Sequence, residues 1–98
     1  MIEVRKTAVF SDWMTGLKDH RARAKIAARI DRTAMHNLGD VAPVGDGVNE
    51  LRIHEGPGYR VYFVKRGKTL VILLCGGDKS TQTKDIKAAK LLAANLED

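Results

Sequence analysis

The stretch from residue 48 to 77, VNELRIHEGPGYRVYFVKRGKTLVILLCGG, most narrows what this chain can fold into. Three runs rich in β-branched and aromatic residues, 48–54, 59–66 and 69–75, are separated by Gly56-Pro57-Gly58 and by Arg66-Gly67-Lys68. Short Gly-containing breaks between such runs are hairpin signals, so three consecutive antiparallel strands are expected. Folding the first hairpin about Gly56 places opposite each other the residues whose numbers add to 112. Leu51 then faces Val61, and Ile53 faces Tyr59, on one face with Phe63. Side chains alternate along a strand, so Glu50, Arg52, His54, Arg60 and Tyr62 fall on the other face. Arg52 lies directly opposite Arg60. Like charges at such a pair repel, and the pair invites an anion between them. On that reading, replacing Arg60 with alanine relieves repulsion. The third run, Val71-Ile72-Leu73-Leu74, is apolar on both faces and is expected as a central strand covered on both sides.

The flanking segments read as one more strand and three helices. Ile2 to Arg5 alternates apolar and charged residues, as a half-buried strand does. Ser11 or Asp12 is expected to cap a helix over Trp13 to Leu17, broken at Gly16 and Lys18-Asp19. Asp19 caps a second helix, His20 to Leu38, with Ala22, Ile26, Ile30, Ala34 and Leu38 as its apolar stripe and Gly39 as its left-handed end. Residues 39–47 read as loop. Thr83 caps a last helix from Lys84 to about Leu96, with Ile86, Ala89, Ala93 and Leu96 facing inward. The expected architecture is α+β, in the order βααβββα. Four mostly antiparallel strands carry the helical hairpin on one face, and the last helix closes an edge or end. Ninety-eight residues fit a single domain spanning 1–98.

Charge and cysteine use bound the function. Seventeen Lys and Arg against twelve Asp and Glu give +5 and a pI near 9.6. That balance favours a polyanionic partner such as RNA or DNA. Five per cent aromatics leaves too few rings for a broad base-stacking platform. The lone Cys75 excludes a disulfide framework and reads as a small buried hydrophobe. No apolar run reaches membrane-spanning length, and the start MIEVRKT has no signal-peptide core. A cytoplasmic protein without a membrane partner is expected. Neither the spacing of His20, His36, His54 and Cys75 nor Gly76-Gly77-Asp78-Lys79-Ser80 matches a metal site or a phosphate loop, so no metal and no cofactor are expected.

The constellation that carries chemistry is Arg52, Arg60 and Tyr62 with the Asp78-Lys79 turn, and with His54 on the same sheet face. Clustered cations can hold a phosphodiester and stabilise charge developing on it. An RNA 2′-OH brings its own nucleophile, so the site needs only cations, a base and an acid. Arg52, Arg60, Lys79 and His54 are the catalytic candidates. Arg52, Arg60, Tyr62, Asp78, Lys79 and Lys84 are the RNA-binding candidates. The competing reading is purely structural: the arginines pair with Glu50, Asp78 or the tail Glu97-Asp98. The basic residues of the second helix are either a solvated face or a track for a nucleic-acid backbone.

Taken together, the order of elements and three segments, 48–53, 56–63 and 73–86, resemble the RelE/ParE-type toxins of toxin–antitoxin modules. The resemblance is closest to the HigB-like branch of addiction-module killer proteins. It implies a RelE-like fold and a toxin that cleaves mRNA on the 70S ribosome as a metal-independent endoribonuclease. It also implies a cognate antitoxin, with a helix-turn-helix DNA-binding domain, as partner. Arg52 and Arg60 match the family's strand arginines, and Lys79 matches the basic residue before the last helix. Another branch of the same family inhibits DNA gyrase without cleaving RNA, which is the alternative activity.

Overall fold

A computed structural model describes residues 2–96. The tail Glu97-Asp98, considered above as a partner for the arginines, lies outside the described residues. The described strands are β1 (Glu3–Lys6), β2 (Val41–Gly45), β3 (Val48–Ile53), β4 (Tyr59–Arg66) and β5 (Leu70–Asp78). The helices are α1 (Ala8–Gly16), α2 (His20–Ala34) and α3 (Gln82–Ala94), with a 3-10 turn at Lys79–Thr81 before α3.

The fold is α+β, but the sheet has five strands rather than four. Their order is β1-β5-β4-β3-β2. The β2–β3, β3–β4 and β4–β5 pairs are antiparallel, while β1 pairs parallel with β5, making the sheet mixed. The expected register of the β3–β4 hairpin holds: Leu51 opposes Val61, Arg52 opposes Arg60, and Ile53 opposes Tyr59. β2 lies in the segment read as loop. Its sequence, VAPVG, has a proline and little strand propensity. It is the edge strand, where a proline is tolerated, and β3 offers it a ladder.

Helix ends differ from expectation for local reasons. Thr7, not Ser11 or Asp12, caps α1, and its hydroxyl accepts from Phe10 N–H at 3.0 Å. The same hydroxyl donates to the Leu74 carbonyl at 2.6 Å, which a local reading cannot foresee. Asp19 caps α2 as expected, accepting from Ala22 N–H. That helix stops at Ala34 because His36, at φ 65°, takes the left-handed position. His36 N–H then reaches the Thr33 carbonyl and Asn37 N–H the Arg32 carbonyl, the paired bonds of a Schellman ending.

Both sheet faces are covered. Ile2, Phe10, Ile26, Ile30, Leu51, Ile53, Val61, Phe63, Val71 and Leu73 form a wholly apolar core under α1 and α2. Val48, Tyr62, Val64, Leu74, Cys75 and Ala89 form a second core under α3. The last helix therefore lies across the opposite face, not along an edge or end. A bulge opposite Tyr62 and Phe63 lets Leu74 and Cys75 both turn to the α3 side. Just beyond it, Gly76 meets the Trp13 ring and Gly77 meets Asp85, and a Cβ at either position would clash. The helices approach the strand at the glycines. Cys75 is buried as expected; burial, then the Asp85 charge, pushes its thiol up to about 12. No helix among the described residues is long and apolar enough to cross a membrane.

Candidate functional site

At one end of the sheet, the β3–β4 turn meets the connection from β5 into α3. The chain doubles back at Glu55–Gly58, where Gly58 N–H reaches the Glu55 carbonyl at 3.0 Å. Glu55 ties this turn to α2 through Lys25 at 2.6 Å and Arg21 at 3.3 Å. Tyr59 pairs with Asp78 and Arg60 with Gly77, so Lys79 follows directly beside the start of β4. The result is a cleft of about 400 Å³ whose lining includes Arg52, His54, Tyr59, Arg60 and Lys79. All four residues expected to act in catalysis are thus brought together.

Beneath the cleft lies Glu50, whose side chain is fully buried. Arg52 Nε donates to Glu50 Oε1 at 3.0 Å. On the other oxygen, Tyr62 Oη donates at 3.0 Å and Gln82 Nε2 at 2.9 Å. Arg60 Nε stands 3.4 Å from the same oxygen, an ionic contact without hydrogen-bond geometry. Arg60 Nη1 donates to the Gly58 carbonyl at 3.0 Å. The anion that two facing arginines invite is therefore the chain's own carboxylate. This corrects the expectation that removing Arg60 relieves repulsion: it would strip a counter-charge from a buried carboxylate. Burial alone would raise the Glu50 carboxyl. The bonds from Arg52, Gln82 and Tyr62, with the Arg60 charge, outweigh it and hold the group below the usual carboxylate range.

His54 stands at the rim, highly exposed, with Nε2 2.6 Å from Asp40 Oδ2. That hydrogen bond is the main cause holding the Asp40 carboxyl below its usual range. The Asp40 segment is itself clamped. Arg29 donates to the Arg52 carbonyl at 2.6 Å and the Leu38 carbonyl at 2.9 Å, and Arg52 N–H reaches the Asp40 carbonyl at 2.9 Å. A second cavity of about 220 Å³, lined by Lys25, Ala28, Arg29, Arg32, Ile53 and His54, adjoins the cleft at His54. The basic groove thus continues onto α2.

Residues 12–96 match the family described as Phage derived protein Gp49-like (DUF891). The chain belongs to the Gp49-like family. It is also 58% identical to an uncharacterized protein of Haemophilus influenzae over 95 residues, covering 97% of this chain and 96% of that protein.

Three expected RNA-binding residues of this Gp49-like chain stand apart from the cleft lining. Tyr62 is fully buried under α3, and its hydroxyl is spent on Glu50. Burial, then that bond, pushes its ionisation upward, so it remains a phenol donor. Asp78 caps the 3-10 turn, accepting from the Ser80 hydroxyl and from Ser80 N–H at 2.8 Å, and the hydroxyl's bond is the main cause lowering its carboxyl. Lys84 is exposed on α3. Reading from sequence missed Asp40 and Gln82, which are distant in the chain, and it counted Glu50 only as a pairing partner. For Glu50 a signal existed, because the 112 rule sets it opposite Tyr62.

Proposed function

We propose that this chain is the toxin of a type II toxin–antitoxin module and acts as a ribosome-dependent mRNA endoribonuclease. The toxin role is supported by membership in the Gp49-like family, which is associated with toxin–antitoxin modules. The observation that carries the activity is the convergence of Arg52, His54, Arg60 and Lys79 on one cleft.

In this reading Arg52 and Arg60 grip the non-bridging oxygens of a phosphodiester. His54, oriented by Asp40, removes the proton of the adjacent 2′-OH. The 2′-oxygen bonds to phosphorus, and the bond from phosphorus to the 5′-oxygen breaks. The Lys79 ammonium gives a proton to that leaving oxygen. The products are a 2′,3′-cyclic phosphate and a 5′-hydroxyl. The groove beyond His54, with Lys25, Arg29 and Arg32, follows the strand away from the scissile bond. The antitoxin supplies an acidic segment that competes for the same cations, so its association slows as salt rises.

Primer extension on mRNA from cells after induction tests the reading. Codon-phased cuts with 5′-hydroxyl ends are expected. Intact mRNA with stalled replication would replace it with gyrase inhibition, and growth without arrest would remove the toxin role altogether.

A further inference from the structure

Glu50 is the one fully buried acidic side chain among the described residues, and it lies on the face where a phosphate-binding cleft would gain most from positive charge. A carboxylate there lowers the cleft's net charge. A site selected only for attraction would not place it there. Its geometry gives another reason. Its two oxygens are divided: Oε1 holds Arg52, while Oε2 holds Tyr62 and Gln82 and faces Arg60. Arg60 is fixed on a second side by the Gly58 carbonyl. Tyr62 comes from β4 and Gln82 from the first turn of α3, so both of those elements fix the carboxylate.

We propose that Glu50 is a positioning residue that fixes Arg52 and Arg60 as a preoriented anion clamp, with Tyr62 and Gln82 holding Glu50 in turn. This deepens the endoribonuclease reading and rests on it for the identity of the anion. An arginine loose in water must be ordered when it meets a phosphate. One already held through Nε loses less freedom, and its remaining N–H groups stay aimed.

The two views of Glu50 predict opposite signs. If Glu50 only neutralises the arginines, Glu50→Gln makes the cleft more positive and tightens anion binding. If Glu50 positions them, the amide fails. Tyr62 and Gln82 can each turn an acceptor toward an amide, but an arginine only donates, so an amide NH₂ must oppose Arg52 on one side or Arg60 on the other. One arginine is released whichever way the amide turns.

The experiment measures binding of a short single-stranded 2′-O-methyl RNA, which lacks the nucleophile and stays intact. Affinity for Glu50→Gln is expected to fall on the order of tenfold to a hundredfold, as misplacement of a binding group does. Gln82→Ala, a half-exposed position whose loss leaves the Glu50 charge in place, should weaken binding by less and in the same direction. It serves as the test if Glu50→Gln does not fold. Nitrogen-edited NMR of the arginine Nε–H groups gives a readout that needs no RNA. Arg52 and Arg60 should show resonances resolved from the exposed arginines, and at least one of them should be lost or shifted toward those in Glu50→Gln. Equal or tighter RNA binding in folded variants, or Arg52 and Arg60 resonances that both stay unmoved, would overturn the proposal. A wild-type protein that binds this RNA yet leaves mRNA intact in cells would instead sink the endoribonuclease reading and leave the positioning result standing. If the wild type binds no RNA, the resonances decide alone.

Discussion

The two faces of the sheet are built from the same strands and each is covered by helix, yet they do different work. The face under α1 and α2 buries ten apolar side chains and no charge. The face under α3 buries Tyr62, Val64 and Leu74 beside an ionised Glu50. An apolar face tolerates any partner that fills its volume. A buried carboxylate tolerates only donors in set places, so the α3 face specifies its neighbours. The difference teaches that an alternating strand does not announce which face is wet. Here the polar face is buried at Glu50 and Tyr62, and these two side chains are hydrogen-bonded to each other.

Cutting the apolar face should give the largest effect on stability. Phe63→Ala is expected to cost about 3–5 kcal/mol, which a small domain of about 5–15 kcal/mol total stability barely survives. Urea unfolding followed by circular dichroism measures it. A loss no larger than that of a surface residue would break the comparison.

Arg60→Ala should be smaller in stability and largest in function. Losing a charged partner of a buried carboxylate costs about 1–3 kcal/mol, so the melting temperature should fall rather than rise. Colony formation after induction should be restored. Arg60→Lys should regain toxicity only in part, because an ammonium lacks the planar fork. A folded Arg60→Ala protein that still kills cells would remove this residue from the site.

Acid should act on the carboxylates and leave the apolar face alone. Glu50, Asp40 and Asp78 all have folded carboxyls held below their ordinary range. Their contribution is therefore fully present above the range of the unfolded chain, and is lost as pH falls through the lower folded values. Stability should drop below about pH 4, with a shallower drop in Glu50→Gln. Melting temperature against pH measures both slopes, and equal slopes would deny Glu50 its part.

Two lysines, Lys79 in the last connection and Lys84 in the first turn of α3, sharpen the picture most finely. Lys79→Ala should weaken RNA engagement by less than Arg60→Ala, since an exposed ammonium acts as a point charge. Lys84→Ala, outside the cleft lining, should change stability by no more than about 0.5 kcal/mol and toxicity least of all. If Lys84 proved as sensitive as Arg60, the RNA path would cross α3 and the cleft would be misplaced.

Much of this was legible beforehand, for identifiable reasons. The hairpin register followed from Leu51, Ile53, Val61 and Phe63 alternating about a Gly-Pro-Gly turn. Val71 to Leu74 declared a strand covered on both sides, and Asp19 declared the start of α2. These are local facts, set by side-chain period, capping chemistry and turn propensity. The convergence of Arg52, Arg60, His54 and Lys79 was likewise readable, because strand pairing fixes which ends meet.

What only the tertiary structure decided depends on contacts between residues far apart in the chain. β2 exists because β3 offers an open edge to a weak sequence. β1 finds a parallel partner in β5, and the Thr7 hydroxyl seals that junction at Leu74. Above all, the sequence by itself determined that two arginines stand together, but not what stands between them. Glu50 becomes their buried anchor only when α3 crosses its face and brings Gln82 to the same oxygen as Tyr62. Alternation can say which side of a strand a carboxylate takes; only packing decides whether water or protein meets it there.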